Sequence, residues 1–195
     1  MSYSMVVTVP ACRAMFMRDY QNKMYSVSAF YLALCSAVLC SYMIYPVVVT
    51  LVTFHRYDFK HESFGDMITW MEIMMLQAMA GSIWGLMLGT FIDTFMIAGQ
   101  INQLACVLFS FGGGMFANLG NGVNPLVDLL SQFSPYRCTM ELLLRREVHG
   151  QFGGHLILKK LGYTWGEERC VRTILLFTLI SFLVGWASLL YRSRR

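Results

Sequence analysis

M-Y-S-V-S-A-F-Y-L-A-L-C-S-A-V-L-C-S-Y-M-I-Y-P-V-V-V-T-L-V-T-F, residues Met24 to Phe54, contains no charged side chain. A helix needs about 20 mostly apolar residues to cross the hydrocarbon core of a bilayer. This run is longer, so it must tilt, kink or project. Pro46 supplies a reason for a kink, because it removes one backbone donor inside the helix. Ile73 to Ile92 is a second charge-free run, closed by Glu72 and Asp93. Thr94 to Val127 is a third, densest from Phe95 to Ala117. Thr173 to Tyr191 is the fourth, between Arg172 and Arg192. Open strands cannot satisfy their backbone groups in lipid, so the four runs read as spanning helices. The reading is an all-α, polytopic transmembrane bundle. Its spans lie near 24–54, 67–92, 94–118 and 172–191, with an external segment over 119–171.

Composition agrees with that reading. Of 195 residues, 56% are hydrophobic and 13% charged, against roughly 25% charged in ordinary soluble domains. Mean hydropathy is +0.53. A disordered chain needs the opposite balance, and a soluble domain would lack polar surface. The net charge of +4 is scattered, with no basic stripe interleaved with aromatics, so nucleic acid is not an expected partner. The partner implied is the lipid bilayer.

Arg13, Arg18 and Lys23 precede the first span, and Arg192, Arg194 and Arg195 follow the last. The positive-inside rule then places both ends in the cytosol of a multi-pass protein, in a membrane the sequence does not specify. Asp128 to Arg172 falls outside. It carries seven basic residues among five acidic ones, which pulls against the rule. Met1 to Cys12 is also charge-free, but too short to span. It reads as the end of a helix that starts upstream, with a short interfacial segment as the plainer alternative.

Two patterns lie inside the spans. Gly81, Gly85 and Gly89 are four apart, share one face, and let another backbone approach closely. Packing within the bundle explains them, and a contact between subunits is the sharper alternative. Gln100, Gln103, Val107, Ser110 and Gly114 fall on one face of the third span. Polar side chains there face a bundle interior or a water-filled cavity, so this stripe points to a translocation path. Hydrogen bonding between helices with no path is the rival explanation. The run Gly112–Gly114 and the turn residues Asn118 to Pro125 end that helix. Leu126 to Phe133 then fits a short re-entrant or interfacial helix. Met140 to Arg146 reads as an amphipathic turn, with Leu142 to Leu144 inward and Arg145 and Arg146 outward.

Chemistry is scarce. No phosphate-cradling G-x-x-x-x-G-K-[ST] occurs. His55, His61 and Glu62 sit beside Arg56 and Lys60 without a closed ligand set, and read as a solvated loop. The six cysteines form no C-x-x-C pair. No enzyme activity, metal or cofactor is expected of the chain itself.

Three stretches carry a resemblance. Arg18 to Leu34, R-D-Y-Q-N-K-M-Y-S-V-S-A-F-Y-L-A-L after Phe16, resembles the cytosolic turn and start of the third membrane helix in the G (White) subfamily of ABC transporters. Phe109 to Leu119, F-S-F-G-G-G-M-F-A-N-L, is similar to the end of that family's fifth helix. Phe133 to Arg137, F-S-P-Y-R, followed by E-L-L-L-R-R-E at Glu141 to Glu147, looks like its Ser-Pro-aromatic-Arg and Leu-Leu-x-x-Glu pattern. The resemblance implies helices three to six of a six-helix membrane domain. Two helices and the nucleotide-binding domain, with its ATP and Mg, would lie outside this chain. It implies a homo- or heterodimer that exports lipids, sterols or other amphipathic compounds. It also places Gln103, Val107 and Ser110 on a central cavity, with Met115 and Phe116 at an apolar upper gate. A loop containing Arg13, Arg18, Asp19 and Tyr25 would meet the nucleotide-binding domain. The triple glycine and short external segment depart from the family. Cys138 and Cys170 do not coincide clearly with its loop cysteines, and a disulfide between them is open outside the cytosol. The competing reading is a non-transporting four-helix membrane scaffold that assembles through the Gly81/Gly85/Gly89 face.

Overall fold

The computed structural model describes residues 2–56, 64–114, 125–148 and 153–193. Every regular element among them is a helix: α1 (Ser2–Gln21), α2 (Val27–Arg56), α3 (Phe64–Phe91), α4 (Phe95–Gly112), α5 (Pro125–Phe133), α6 (Pro135–Val148), α7 (Gly154–Leu161) and α8 (Glu167–Ser193). The expected all-α polytopic architecture is what the chain adopts. Among the described residues, four helices, α2, α3, α4 and α8, are long and apolar enough to cross a membrane. At 1.5 Å per residue, the 18 residues of α4 give about 27 Å, close to the roughly 30 Å hydrocarbon core. The 30 residues of α2 exceed it and contain Pro46.

Several boundaries differ from the sequence reading. The third span stops at Gly112 rather than near 118. A Cβ on Gly112 would lie 2.9 Å from the Leu130 carbonyl, and one on Gly113 would lie 3.0 Å from Tyr136 Cβ. Gly114 has φ +81°, a left-handed conformation that breaks the helix. Close approach accounts for the first two glycines of the triplet and backbone conformation for the third. The last span begins earlier than expected, at Glu167, because Glu167 and Glu168 suit the first turn of a helix. Arg13, Arg18 and Asp19 lie on α1 rather than in a loop. The apolar face of α1 packs into the bundle and holds the helix through to Gln21. The segment near Met140 is a full 14-residue helix, α6. Within it Arg145 turns toward Glu141 instead of outward. The short helix α7 carries no strong sequence signal. It is bounded by Gly153 and Gly162, both left-handed.

The chain divides into two compact units, each with its own core. The first holds residues 2–44, 78–105 and 178–193. Its core joins Val9 and Phe16 of α1, Tyr31 and Cys35 of α2, Leu86 of α3 and Leu189 of α8. Tyr31 is fully buried and donates its hydroxyl to the Phe182 carbonyl at 3.1 Å. Its ring fits because residue 185 is glycine: a Cβ there would overlap the Tyr31 hydroxyl. Against α3, α1 is seated closely. A Cβ on Gly85 would lie 2.8 Å from Ser2 Cα, and one on Gly89 would lie 2.7 Å from Val9 Cβ. Gly81 has no such neighbour within 4 Å among the described residues. Glycine permits helix backbones to approach in this way.

The second unit holds the described residues of 45–77 and 106–177. Its interior mixes apolar side chains such as Leu142, Leu158 and Ile174 with buried polar ones. Glu141 is completely buried and Arg137 nearly so. Ser134 donates to the Phe109 carbonyl at 2.7 Å, and Tyr163 to the Gly113 carbonyl at 2.8 Å. These bonds tie the end of α4 to the helices that follow it.

Candidate functional site

The stripe on α4 is the first candidate. Gln100, Gln103 and Val107 are exposed on the surface of the chain, and Ser110 is half-buried. Ser110 donates to the Cys106 carbonyl one turn back, at 2.8 Å, so its hydroxyl is satisfied within its own helix. Gln100 and Gln103 form no hydrogen bond to any described residue. Their amides are therefore available to whatever lies over this face. Met115 and Phe116, expected at an upper gate, fall outside the described residues. The polar side chain that α4 does bury is Asn102, whose Nδ2 donates to the Ser2 hydroxyl at 3.2 Å. It lies about a third of a turn away from the stripe and packs α4 on α1. Periodicity points to the Gln face, and nothing in the local sequence marks Asn102 as the residue turned inward.

The connection from α1 to α2 is the second candidate. It is a built turn rather than a slack loop. Lys23 adopts φ +56°, and its N–H donates to the Tyr20 carbonyl at 2.9 Å. Ser26 caps α2, its hydroxyl accepting from the Ala29 N–H at 3.3 Å. Phe16 stacks on Phe30 with ring centroids 4.3 Å apart. Tyr25 donates to Asp19 Oδ2 at 2.9 Å, and that bond to a carboxylate raises the tyrosine pKa. Arg18 lies 3.6 Å from Asp19 and stays largely in solvent. Arg18, Lys23 and Met24 thus project from a turn whose geometry is fixed from behind.

At Asp93, between α3 and α4, two distant stretches meet. Arg13 of α1 reaches its Oδ1 at 2.5 Å, and Arg192 of α8 reaches the same oxygen. The hydrogen bond from Arg192 is the chief reason the Asp93 carboxyl sits below its ordinary pKa, with Arg13 adding to it. One arginine from the flank of the first span and one from the flank of the last therefore lie side by side, at the end of α3.

Cys138 and Cys170 are brought together. Both are fully buried free thiols. The Cys170 thiol hydrogen-bonds to Cys138 and lowers the Cys138 pKa, although burial opposes this. Burial also shields the pair from soluble oxidants. We expect the intact mass to be unchanged by reduction and all six cysteines to alkylate in denaturant without a reductant. A gain of two hydrogens on reduction would instead mark a disulfide.

Comparison with protein families matches residues 1–147 to the ABC-2 type transporter family. With that match over most of its length, four membrane-length helices and an all-helical fold, the chain belongs to the ABC-2 type transporter family. It is an integral, multi-pass membrane protein and represents the membrane part of an ABC-type transporter. Comparison with curated proteins returns no match.

Proposed function

We propose that this chain forms the membrane-spanning part of a G (White)-type exporter that moves lipids, sterols or other amphipathic compounds. The α4 face carries the reading: Gln100, Gln103 and Val107 are exposed together, in a helix otherwise made for lipid. Apolar and amide groups alternate there, which suits a substrate with one polar end. Transport proceeds by alternating access between two packings of the bundle, opened to one side or the other. A nucleotide-binding domain outside this chain binds ATP and Mg, and the chain hydrolyses nothing itself. The fixed α1–α2 turn, with Arg18, Lys23 and Met24 outward, meets that domain. Two membrane domains pair, as a homodimer or heterodimer, with the α4 faces lining the cavity. The ion pairs of Asp93 with Arg13 and Arg192 support cytosolic placement of both basic flanks, since they put all three at one end of α3.

The test is made in the complete transporter, reconstituted in proteoliposomes with a panel of labelled sterols and phospholipids. Gln103→Ala removes an amide from the face, and Ser110→Leu adds bulk without breaking a bond to another helix. Each is expected to change the ratio of transport rates between panel members by about tenfold, the scale of one pocket contact. Melting temperature should stay near that of the wild type. Unchanged ratios in both variants would remove the cavity role of α4.

A further inference from the structure

The Asp93 cluster opens on a cleft of about 890 Å³ whose lining includes Arg13, Asp93 and Arg192. Two guanidinium groups share one carboxylate oxygen, so the cluster keeps an excess of positive charge. Neither arginine is free to swing away. Arg13 also donates to the Thr90 carbonyl at 3.3 Å, and Arg192 to the Phe91 carbonyl at 2.5 Å. These are among the last carbonyls of α3, which attract cations. Both side chains are mostly covered, Arg13 at 14% exposure and Arg192 at 29%. The cationic pair is thus held in place before any ligand arrives, which reduces the entropy lost on binding.

The rest of the lining is apolar. Met17 of α1 and Val184, Ala187 and Tyr191 of α8 form the wall. Val184 and Tyr191 are exposed to what surrounds the chain. From Arg192 back to Val184 is eight residues along α8, about 12 Å at the helical rise. A cationic mouth therefore sits at the end of membrane helices, and an apolar wall runs from it toward the span. Arginines at helix ends lie at the depth of lipid headgroups. Each guanidinium has five N–H donors, and those not used on Asp93 and the α3 carbonyls suit phosphate oxygens.

We propose that this cleft binds an anionic phospholipid, its headgroup phosphate on Arg13 and Arg192 and the upper part of an acyl chain along Met17, Val184 and Tyr191. Asp93 holds the two like charges side by side. Such a lipid joins α1, the end of α3 and α8, and is distinct from a substrate carried past the α4 face.

The full chain is reconstituted in nanodiscs of phosphatidylcholine containing trace fluorescent phosphatidylglycerol or trace fluorescent phosphatidylcholine. Energy transfer from the tryptophans reports lipid at the protein surface. The wild type is expected to favour phosphatidylglycerol by about fivefold or more, the scale of one arginine acting on an anionic lipid. Arg13→Gln with Arg192→Gln should abolish the preference, and Arg13→Lys with Arg192→Lys should retain part of it. If the double glutamine variant fails to fold, Arg192→Gln alone carries the test, with roughly half the loss. No headgroup preference in the wild type would overturn the proposal. So would a full preference in a folded glutamine variant. Displacement of the lipid by millimolar inorganic phosphate would identify the ligand as free phosphate and overturn the lipid assignment.

Discussion

Gly89→Leu is expected to force α1 off α3, while Gly81→Leu, on the same face of the same helix, leaves the fold near wild-type stability. The first carbon added at Gly89 would lie 2.7 Å from Val9 Cβ and 3.4 Å from the Met5 carbonyl oxygen. Val9 is buried, and its Cβ is fixed to the backbone of α1. No rotamer change moves it, so the whole helix must shift. Overpacking of this kind costs about 1–3 kcal/mol, and more where backbone has to move. Leucine in place of glycine returns roughly 0.5–1 kcal/mol of helix propensity. Overlap therefore wins at Gly89. At Gly81 an added Cβ meets nothing within 4 Å among the described residues, and propensity wins. Thermal unfolding in detergent, followed by tryptophan fluorescence, separates the two. Equal midpoints would show that the glycine face is not where α1 is seated.

That contrast also marks how far the sequence could be read. Three glycines at equal spacing look alike on paper, and among the described residues Gly85 and Gly89 receive a close neighbour while Gly81 does not. Charge-free length located the four spans because the hydrocarbon core sets a physical minimum on helix length. Their ends were less legible. The helix stops before a left-handed Gly114, and Gly112 must be glycine because Leu130, 18 residues downstream, approaches it closely. The Gln100/Gln103 face was readable, since helical period alone puts those residues together. The Asp93 cluster was not. Its partners are 80 and 99 residues away in the chain, and each alone looks like an ordinary flanking charge. Arg145 departs from its local pattern for a related reason. Its neighbours in sequence suggest solvent, but its real surroundings are Glu141 and the turn before α8. Local pattern fixes which face a residue shares, and tertiary packing decides what covers that face.

Glu141 gives the second large expectation. It is fully buried in α6, among helices that the sequence reading places outside the membrane. Its Oε1 accepts from Arg145 Nε at 3.1 Å, from another guanidinium nitrogen of Arg145 at 2.7 Å, and from the Gly166 N–H at 2.9 Å. Gly166 is left-handed, at φ +86°, so the turn that presents this N–H suits glycine. The adjoining Trp165 makes cation–π contacts with both Arg137 and Arg169, whose guanidinium carbons lie 4.2 and 4.3 Å from its ring centroid. One carboxylate oxygen therefore anchors α6 to the turn that starts α8. Glu141→Leu would leave Arg145 and the Gly166 N–H without their acceptor. Removing one partner of a buried pair costs about 3–5 kcal/mol. Glu141→Gln keeps an acceptor but loses the charge, and should cost about 1–3 kcal/mol. Adding Arg145→Leu to Glu141→Leu should recover much of the loss, because no buried charge is then left alone. The order wild type, Gln, Leu, with rescue in the double variant, is the signature in thermal unfolding. A Leu variant as stable as the wild type would mean that the buried carboxylate does not hold the two helices together. A Leu variant that the second substitution fails to rescue would place the cost in the Gly166 turn instead of the ion pair.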